Sequence, residues 1–250
     1  MNFKIGDVVS RKSYNNDVVF QIIAIQDNIA FLKGSYVRLY ADAPLDDLVL
    51  TDNRDEYEPD TIIDSLDRDE FFYLPGKILH LDGDEDYLNK SLDYYKKNGV
   101  FAIGKCINEK EMHNYIINLL EEYKPDIVVI TGHDAIYEKD NTYKNSSFFI
   151  KCVKNARIYE KSHEKLVIIA GACQSDYENL IKSGANFASS PKRVNIHALD
   201  PAVIAVNVAL TDRSKSLDIK ALLNKTKYGK SGIGGLLGNG MMYVGYPRWK

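Results

Sequence analysis

The chain has 250 residues, 45% of them hydrophobic and 27% charged, with a formal net charge of −3. Those are globular proportions, enough for one large domain or for a small one beside a medium one. The mild acidity excludes a general binder of nucleic acid or anionic membrane, and no apolar run nears the roughly 18 residues needed to span a bilayer. The N-terminus MNFKIGDVVS opens like a strand and lacks an apolar signal segment, and three cysteines without a CxxC pair give neither a disulfide framework nor a zinc site. The expectation is a cytoplasmic protein with reduced thiols, no membrane insertion, no nucleic-acid partner, and no metal or organic cofactor.

Residues 1–50 read as a small SH3-like β-barrel. Short strands are predicted at Asp7–Arg11, Val18–Ile25, Ile29–Lys33, Tyr36–Ala41 and Asp47–Leu50, with Asn15-Asn16, Asp27-Asn28 and Gly34-Ser35 as turns. Residues 51–74 form a linker whose stretch Thr51–Glu70 carries nine acidic against two basic residues. A solvated spacer is its first reading, an inhibitory or substrate-mimicking strand its second.

From residue 75 to 250 apolar strands alternate with helical periods. Lys77–Leu81 is a strand ending in Asp82-Gly83-Asp84, and Asp86–Lys97 a helix burying Leu88, Leu92 and Tyr95. Val100–Cys106 is the next strand, and Asn108 with Glu111 resembles a capping box. The helix it opens carries the stripe Met112, Tyr115, Ile116, Leu119, Leu120 and Tyr123. Asp126–Thr131 and Leu166–Ala170 are continuous apolar runs of the kind found at the centre of a parallel sheet, with a helix through Phe149, Cys152 and Val153 between them. Asp176 caps a short helix closed by Gly184, and Asp200-Pro201 opens the apolar helix Ala202–Leu210. Seven glycines in the last 26 residues predict loops and an irregular final hairpin. The alternation predicts an α/β domain of three layers, helices on both faces of a mostly parallel sheet.

Two of these strands end alike. Asp126–Thr131 runs into Gly132-His133, and Leu166–Ala170 into Gly171-Ala172-Cys173. If the strands are neighbours, imidazole and thiol share the crevice beyond the carboxyl edge, as a thiolate nucleophile and its proton donor require. Glycine lets the chain turn off each strand, and the amides of Gly132 and Cys173 can face an oxyanion. Taken singly, each residue is more simply a core cysteine or a satisfied histidine; the pairing is what carries the reading. Cys106, Cys152, His80, His113, His163 and His197 stay structural.

An apolar strand ending in Gly-His, followed 40 residues later by one ending in Ala-Cys, resembles the caspase-like cysteine peptidases, among them clostripain, legumain, gingipain and separase. The segments FKIGDVVSRKSYNNDVVFQI, PGKILHLDGDEDYL, ITGHD, IIAGACQS and SSPKRVNIHALDP extend the likeness over nearly the whole chain, to the YabG family of sporulation-specific peptidases. The resemblance implies a Cys173/His133 dyad without an obligatory third member. It also implies cleavage of spore coat or germination precursor proteins after arginine or another basic residue, in the mother cell of a sporulating bacterium. Asp82, Asp84 and Asp200 are then candidates to grip the guanidinium, although capping suits Asp200 better. Two rivals stand beside this. A class I amidotransferase would need a second glycine after the cysteine, where Ser175 stands, and a downstream histidine, for which only His197 offers itself. A non-catalytic flavodoxin-like scaffold would need neither residue. The acidic linker offers Arg54 and Arg68 as self-cleavage points.

Overall fold

The computed structural model describes residues 3–52, 57–61, 66, 69–137 and 142–248. Arg54, Arg68 and much of the acidic stretch between them lie outside the described residues. The chain divides into two compact units, residues 1–58 and 59–250.

The first unit is an antiparallel sheet of β1 (Val8–Arg11), β2 (Phe20–Gln26), β3 (Ile29–Gly34), β4 (Tyr40–Pro44) and β5 (Leu48–Leu50), in the order β4-β3-β2-β1-β5. Val9, Phe20, Ile22, Ala30, Leu32, Ala43 and Leu48 form its buried side. Asp27 and Asn28 both take positive φ, the conformation a two-residue hairpin requires, and they join β2 to β3 as their sequence predicts. The fourth strand falls later than the predicted Tyr36–Ala41.

In the second unit the elements follow as β6 (Phe72–Leu74), β7 (Ile78–Asp82), α1 (Glu85–Lys97), β8 (Ala102–Cys106), α2 (Met112–Tyr123) and β9 (Ile127–Thr131). A small hairpin, β10 (Ile136–Tyr137) and β11 (Thr142–Tyr143), leads into α3 (Ser146–Tyr159), β12 (Val167–Ala170), α4 (Tyr177–Lys182) and β13 (Phe187–Ser189). The chain finishes with α5 (Asp200–Ala209), α6 (Ile219–Asn224), β14 (Ile233–Gly235) and β15 (Tyr243–Gly245). Six strands make the main sheet, ordered β14-β13-β12-β9-β7-β8, all parallel except the β13–β14 pair.

The central strands β7, β9 and β12 are buried at every position, which is why β9 and β12 read as continuous apolar runs, while β7 buries His80 and Asp82 among its apolar residues. Ile127 and Val129 pack on one face with Tyr95 of α1 and with α5. Val128 and Ile130 pack on the other with Met112, Ile116 and Leu120 of α2 and with Phe149 and Val153 of α3. Each such buried side chain contributes about 1.5–3 kcal/mol.

Three expectations fail locally. Tyr115 of the α2 stripe is exposed. The capping box does not form: Glu111 makes no side-chain cap, and Asn108 Oδ1 accepts only from the Lys110 N–H, at 3.1 Å. Nor is there a final hairpin, since β14 and β15 do not pair with each other. β14 joins the main sheet beside β13, where a Cβ at Gly235 would overlap the Phe187 ring, and β15 pairs with β6 at the start of the unit.

Arg157 at the end of α3 sews three elements together. Its Nε donates to Gly184 O (2.7 Å), Nη1 to the carbonyls of Glu160, Ser162 and Leu166 (3.2, 3.3 and 2.9 Å), and Nη2 to Asn186 Oδ1 (2.5 Å). Burial pushes its pKa down to about 10. Arg157→Ala leaves several carbonyls near the starts of β12 and β13 unsatisfied, so unfolding in urea should show a loss of about 3–4 kcal/mol.

Candidate active site

β9 and β12 are hydrogen-bonded neighbours, with Ala170 opposite Ile130 and the Gly171 N–H donating to Ile130 O at 3.0 Å. The two segments that leave them, Gly132-His133-Asp134 and Gly171-Ala172-Cys173, therefore emerge side by side from the carboxyl edge of the sheet. Beyond the edge they are stapled. Ser175 Oγ donates to Asp134 Oδ2 at 2.9 Å, and the Ile136 N–H donates to Gln174 Oε1 at 3.2 Å. Positive φ at Gly171 and Gln174 gives the sharp turn on which Cys173 sits.

The Cys173 thiol is fully buried. Its Sγ accepts the Ile196 N–H at 3.3 Å and lies 3.7 Å from Ile196 O. Ile196 belongs to a covering segment, residues 190–197. Bonds from the Gln174 N–H to Val194 O (3.2 Å), from Ser190 Oγ to Val194 O (2.7 Å) and from Arg193 Nε to Tyr143 Oη (2.7 Å) hold that segment down. His197, the histidine an amidotransferase reading would use, is buried there, and its Nδ1 accepts the Leu199 N–H at 3.1 Å.

His133 is gripped on both sides. Its main-chain N–H donates to Glu109 Oε1 at 2.8 Å, and its Nδ1 faces the same oxygen at 3.3 Å. Its Nε2 points toward Asp84 Oδ2 at 3.8 Å, and its ring lies 5.9 Å from that of Tyr87 at a 55° tilt. The Glu109 carboxylate is itself 7% exposed and wedged between two glycines. A Cβ at Gly132 would fall 2.6 Å from Oε1, and one at Gly83 would overlap the same oxygen. Gly132 does not take positive φ, so its smallness makes room for this carboxylate rather than for a turn. Burial pushes the Glu109 carboxyl up, but the bonds from His133 outweigh it and the net shift is downward. Nothing in the sequence marks Glu109, an unremarkable acid in the loop between β8 and α2.

The three aspartates proposed from sequence lie apart in role. Asp82 is fully buried at the end of a relay: Tyr95 O–H to His80 Nδ1 (2.9 Å), His80 Nε2–H to Thr131 Oγ1 (2.7 Å), and Thr131 O–H to Asp82 Oδ2 (2.9 Å). This direction follows from Thr131 donating onward, which puts the imidazole proton on Nε2. Asp84 caps α1, its Oδ1 accepting the N–H groups of Asp86 and Tyr87 at 3.0 and 3.4 Å, while Oδ2 faces His133. Asp200 is fully buried and accepts the N–H groups of His197 (3.1 Å) and Lys227 (2.9 Å). The edge is strongly negative. The Cys106 thiol at the end of β8 is pushed up by burial and then by the charges of Asp82, Glu85, Asp84 and Glu109. The cleft lined by Phe71, Tyr73, Leu210, Met242 and Val244 contains none of these residues.

An α/β fold that delivers His133 and Cys173 from neighbouring strands to one edge of its sheet is what this arrangement defines, and comparison with known families makes the protein a hydrolase acting on peptide bonds. The chain belongs to the YabG peptidase U57 family, whose model matches residues 4–65 and 52–247. It is 41% identical over 287 aligned positions to the sporulation-specific protease YabG of Bacillus subtilis strain 168, covering 99% of each chain. Weaker likenesses link it to two solved structures. A cobalamin-binding protein from Desulfitobacterium hafniense shows 19% identity and a TM-score of 0.35, over 53% of this chain and 58% of that one. The receiver domain of the histidine kinase CKI1 from Arabidopsis thaliana shows 18% identity and a TM-score of 0.29, over 44% and 76%.

Asp134 holds the two loops together. Its carboxylate accepts from the N–H groups of Ala135 (3.0 Å) and Asn145 (2.8 Å) and from the hydroxyls of Ser146 and Ser175. Burial nonetheless pushes its pKa up. A folded-state pKa above the unfolded one makes its contribution greatest below the ordinary carboxylate range and progressively lost as pH rises through the folded value. Asp134→Asn turns one acceptor into a donor facing donors, and should cost about 2–3 kcal/mol in a urea titration. The gap from wild type should narrow from acid to neutral pH.

Proposed function

We propose that the chain cleaves protein substrates through Cys173 as nucleophile and His133 as proton carrier. On this reading residues 75–250 form a caspase-like three-layer peptidase domain and residues 1–50 an SH3-like barrel. The observation that carries it is the double staple, Asp134 to Ser175 and Gln174 to Ile136, which holds the histidine loop and the cysteine loop together beyond paired strands. His133 takes the Cys173 proton, and the thiolate attacks the peptide carbonyl to give a tetrahedral oxyanion facing the amides of Gly132 and Cys173. The amine leaves with the His133 proton as the C–N bond breaks, and water then releases the acyl group as a carboxylate. Because Ile196 covers the thiol, substrate entry requires residues 194–197 to move aside.

The negative edge supports a preference for arginine or lysine before the scissile bond. Of the three aspartates, Asp84 stands beside His133 and keeps 8% of its surface exposed, whereas Asp82 and Asp200 are fully buried. The sporulation protease at 41% identity supports a role in sporulation; on this reading the enzyme works in the mother cell of a sporulating bacterium, with spore coat or germination precursor proteins as substrates.

The test is hydrolysis of a fluorogenic peptide library carrying arginine, lysine, glutamine or aspartate before the leaving group. Cys173→Ala and His133→Ala should each lower kcat/KM about 1,000-fold or more, and full activity in either would overturn the assignment. Asp84→Asn, which keeps a good helix cap, should lower the arginine-over-glutamine preference about tenfold while the melting temperature holds. An unchanged preference would remove Asp84 from the specificity site.

A further inference from the structure

We infer that Glu109 is a positioning residue for His133, so that the reacting unit is a cysteine, a histidine and a buried glutamate. The inference rests on the Cys173/His133 reading above and adds a member to it. A single oxygen, Glu109 Oε1, holds both the main-chain N–H of His133 at 2.8 Å and its ring Nδ1 at 3.3 Å. Anchored at backbone and ring by one atom, the imidazole has little rotational freedom. A carboxylate facing Nδ1 places the ring proton there and assigns Nε2 to proton exchange. Nε2 lies 3.8 Å from Asp84 Oδ2, beyond hydrogen-bond reach of that carboxylate. When the imidazole takes the thiol proton, the charge it acquires faces Glu109 across the same contact.

The space around Glu109 is shaped for it. The three nearest atoms to a Cβ built at Gly83 all belong to Glu109, and so do the three nearest to one built at Gly132. Two loops from different strands thus carry glycine where this one side chain passes. A buried carboxylate would otherwise be costly, and its bonds to His133 are what hold its pKa below the ordinary range despite burial.

The test uses Glu109→Gln in the full chain, on the best substrate of the peptide library. Gln fills the same volume and keeps an acceptor oxygen but loses the charge. The expected result is a fall in kcat of about 10–100-fold, a KM within about twofold of wild type, and an unchanged melting temperature. In a His133→Ala background the same substitution should lower the residual kcat less than about twofold, because a residue acting through His133 has nothing left to position. Wild-type kcat in Glu109→Gln, or an equal loss with and without His133, would overturn the role. Should Glu109→Gln melt early, Gly83→Ala displaces the carboxylate while leaving it charged; a selective loss of kcat there supports the role, and wild-type kcat overturns it. Failure of the underlying dyad reads differently, since Cys173→Ala or His133→Ala would then keep full turnover.

Discussion

The parallel pairing of β9 with β7 on one side and β12 on the other sets where every polar residue of the site can lie. β9 is buried over its whole length, and its register opposes Thr131 to Asp82 and Ile130 to Ala170. A slip of one residue would exchange the two faces of the strand, putting Ile127 and Val129 where α2 and α3 expect Val128 and Ile130. The register is therefore fixed by packing on both faces at once. Three chain segments are delivered to one edge as a consequence: Asp82-Gly83-Asp84, Gly132-His133-Asp134 and Gly171-Ala172-Cys173. Hydrogen bonds beyond the edge then refine what the sheet has already brought together.

That edge concentrates negative charge, and the structure offsets each carboxylate differently. Asp82 accepts a hydrogen bond from the Thr131 hydroxyl at the end of a buried relay. Asp84 sits at the N-terminus of α1, where backbone N–H groups and the helix dipole favour an anion. Glu109 is met by His133, and Asp134 by two hydroxyls and two amides. The offsets are local, and after burial, which pushes the Cys106 thiol up most, the charges of Asp82, Glu85, Asp84 and Glu109 push it further in the same direction. Such an edge is suited to a cationic side chain arriving from solvent.

Much of this arrangement was legible because apolar periodicity reports burial directly. β7, β9 and β12 fall within a residue of their predicted limits, and the pairing of Gly-His with Ala-Cys could be read because each follows such a strand. Short-range chemistry was less dependable. Asn108 and Glu111 have capping-box spacing, yet the chain enters α2 with Glu111 in helical φ/ψ and no side-chain cap. β13 and β14 are three residues long and owe their place to neighbours, which no local window contains. Glu109 was invisible for the same reason: its meaning lies in Gly83, Gly132 and His133, distant in sequence and assembled only by the sheet. The sequence suggests a turn at Gly132, whereas the constraint there is the volume of the Glu109 side chain.

The pairing of β15 with β6 joins the last described strand to the first of the second unit, and Arg248 N–H donates to Glu70 O at 2.8 Å beside it. β14, which completes the main sheet, also comes late. On the ribosome, a chain with β9 and β12 already made would still lack its outer strand and the clasp that ties its two ends. The second unit is thus complete only once residues 233–245 have joined it. Its frame is closed by segments far along the chain from the strands that it frames, so the edge carrying His133 and Cys173 leans on residues with no part in the site itself.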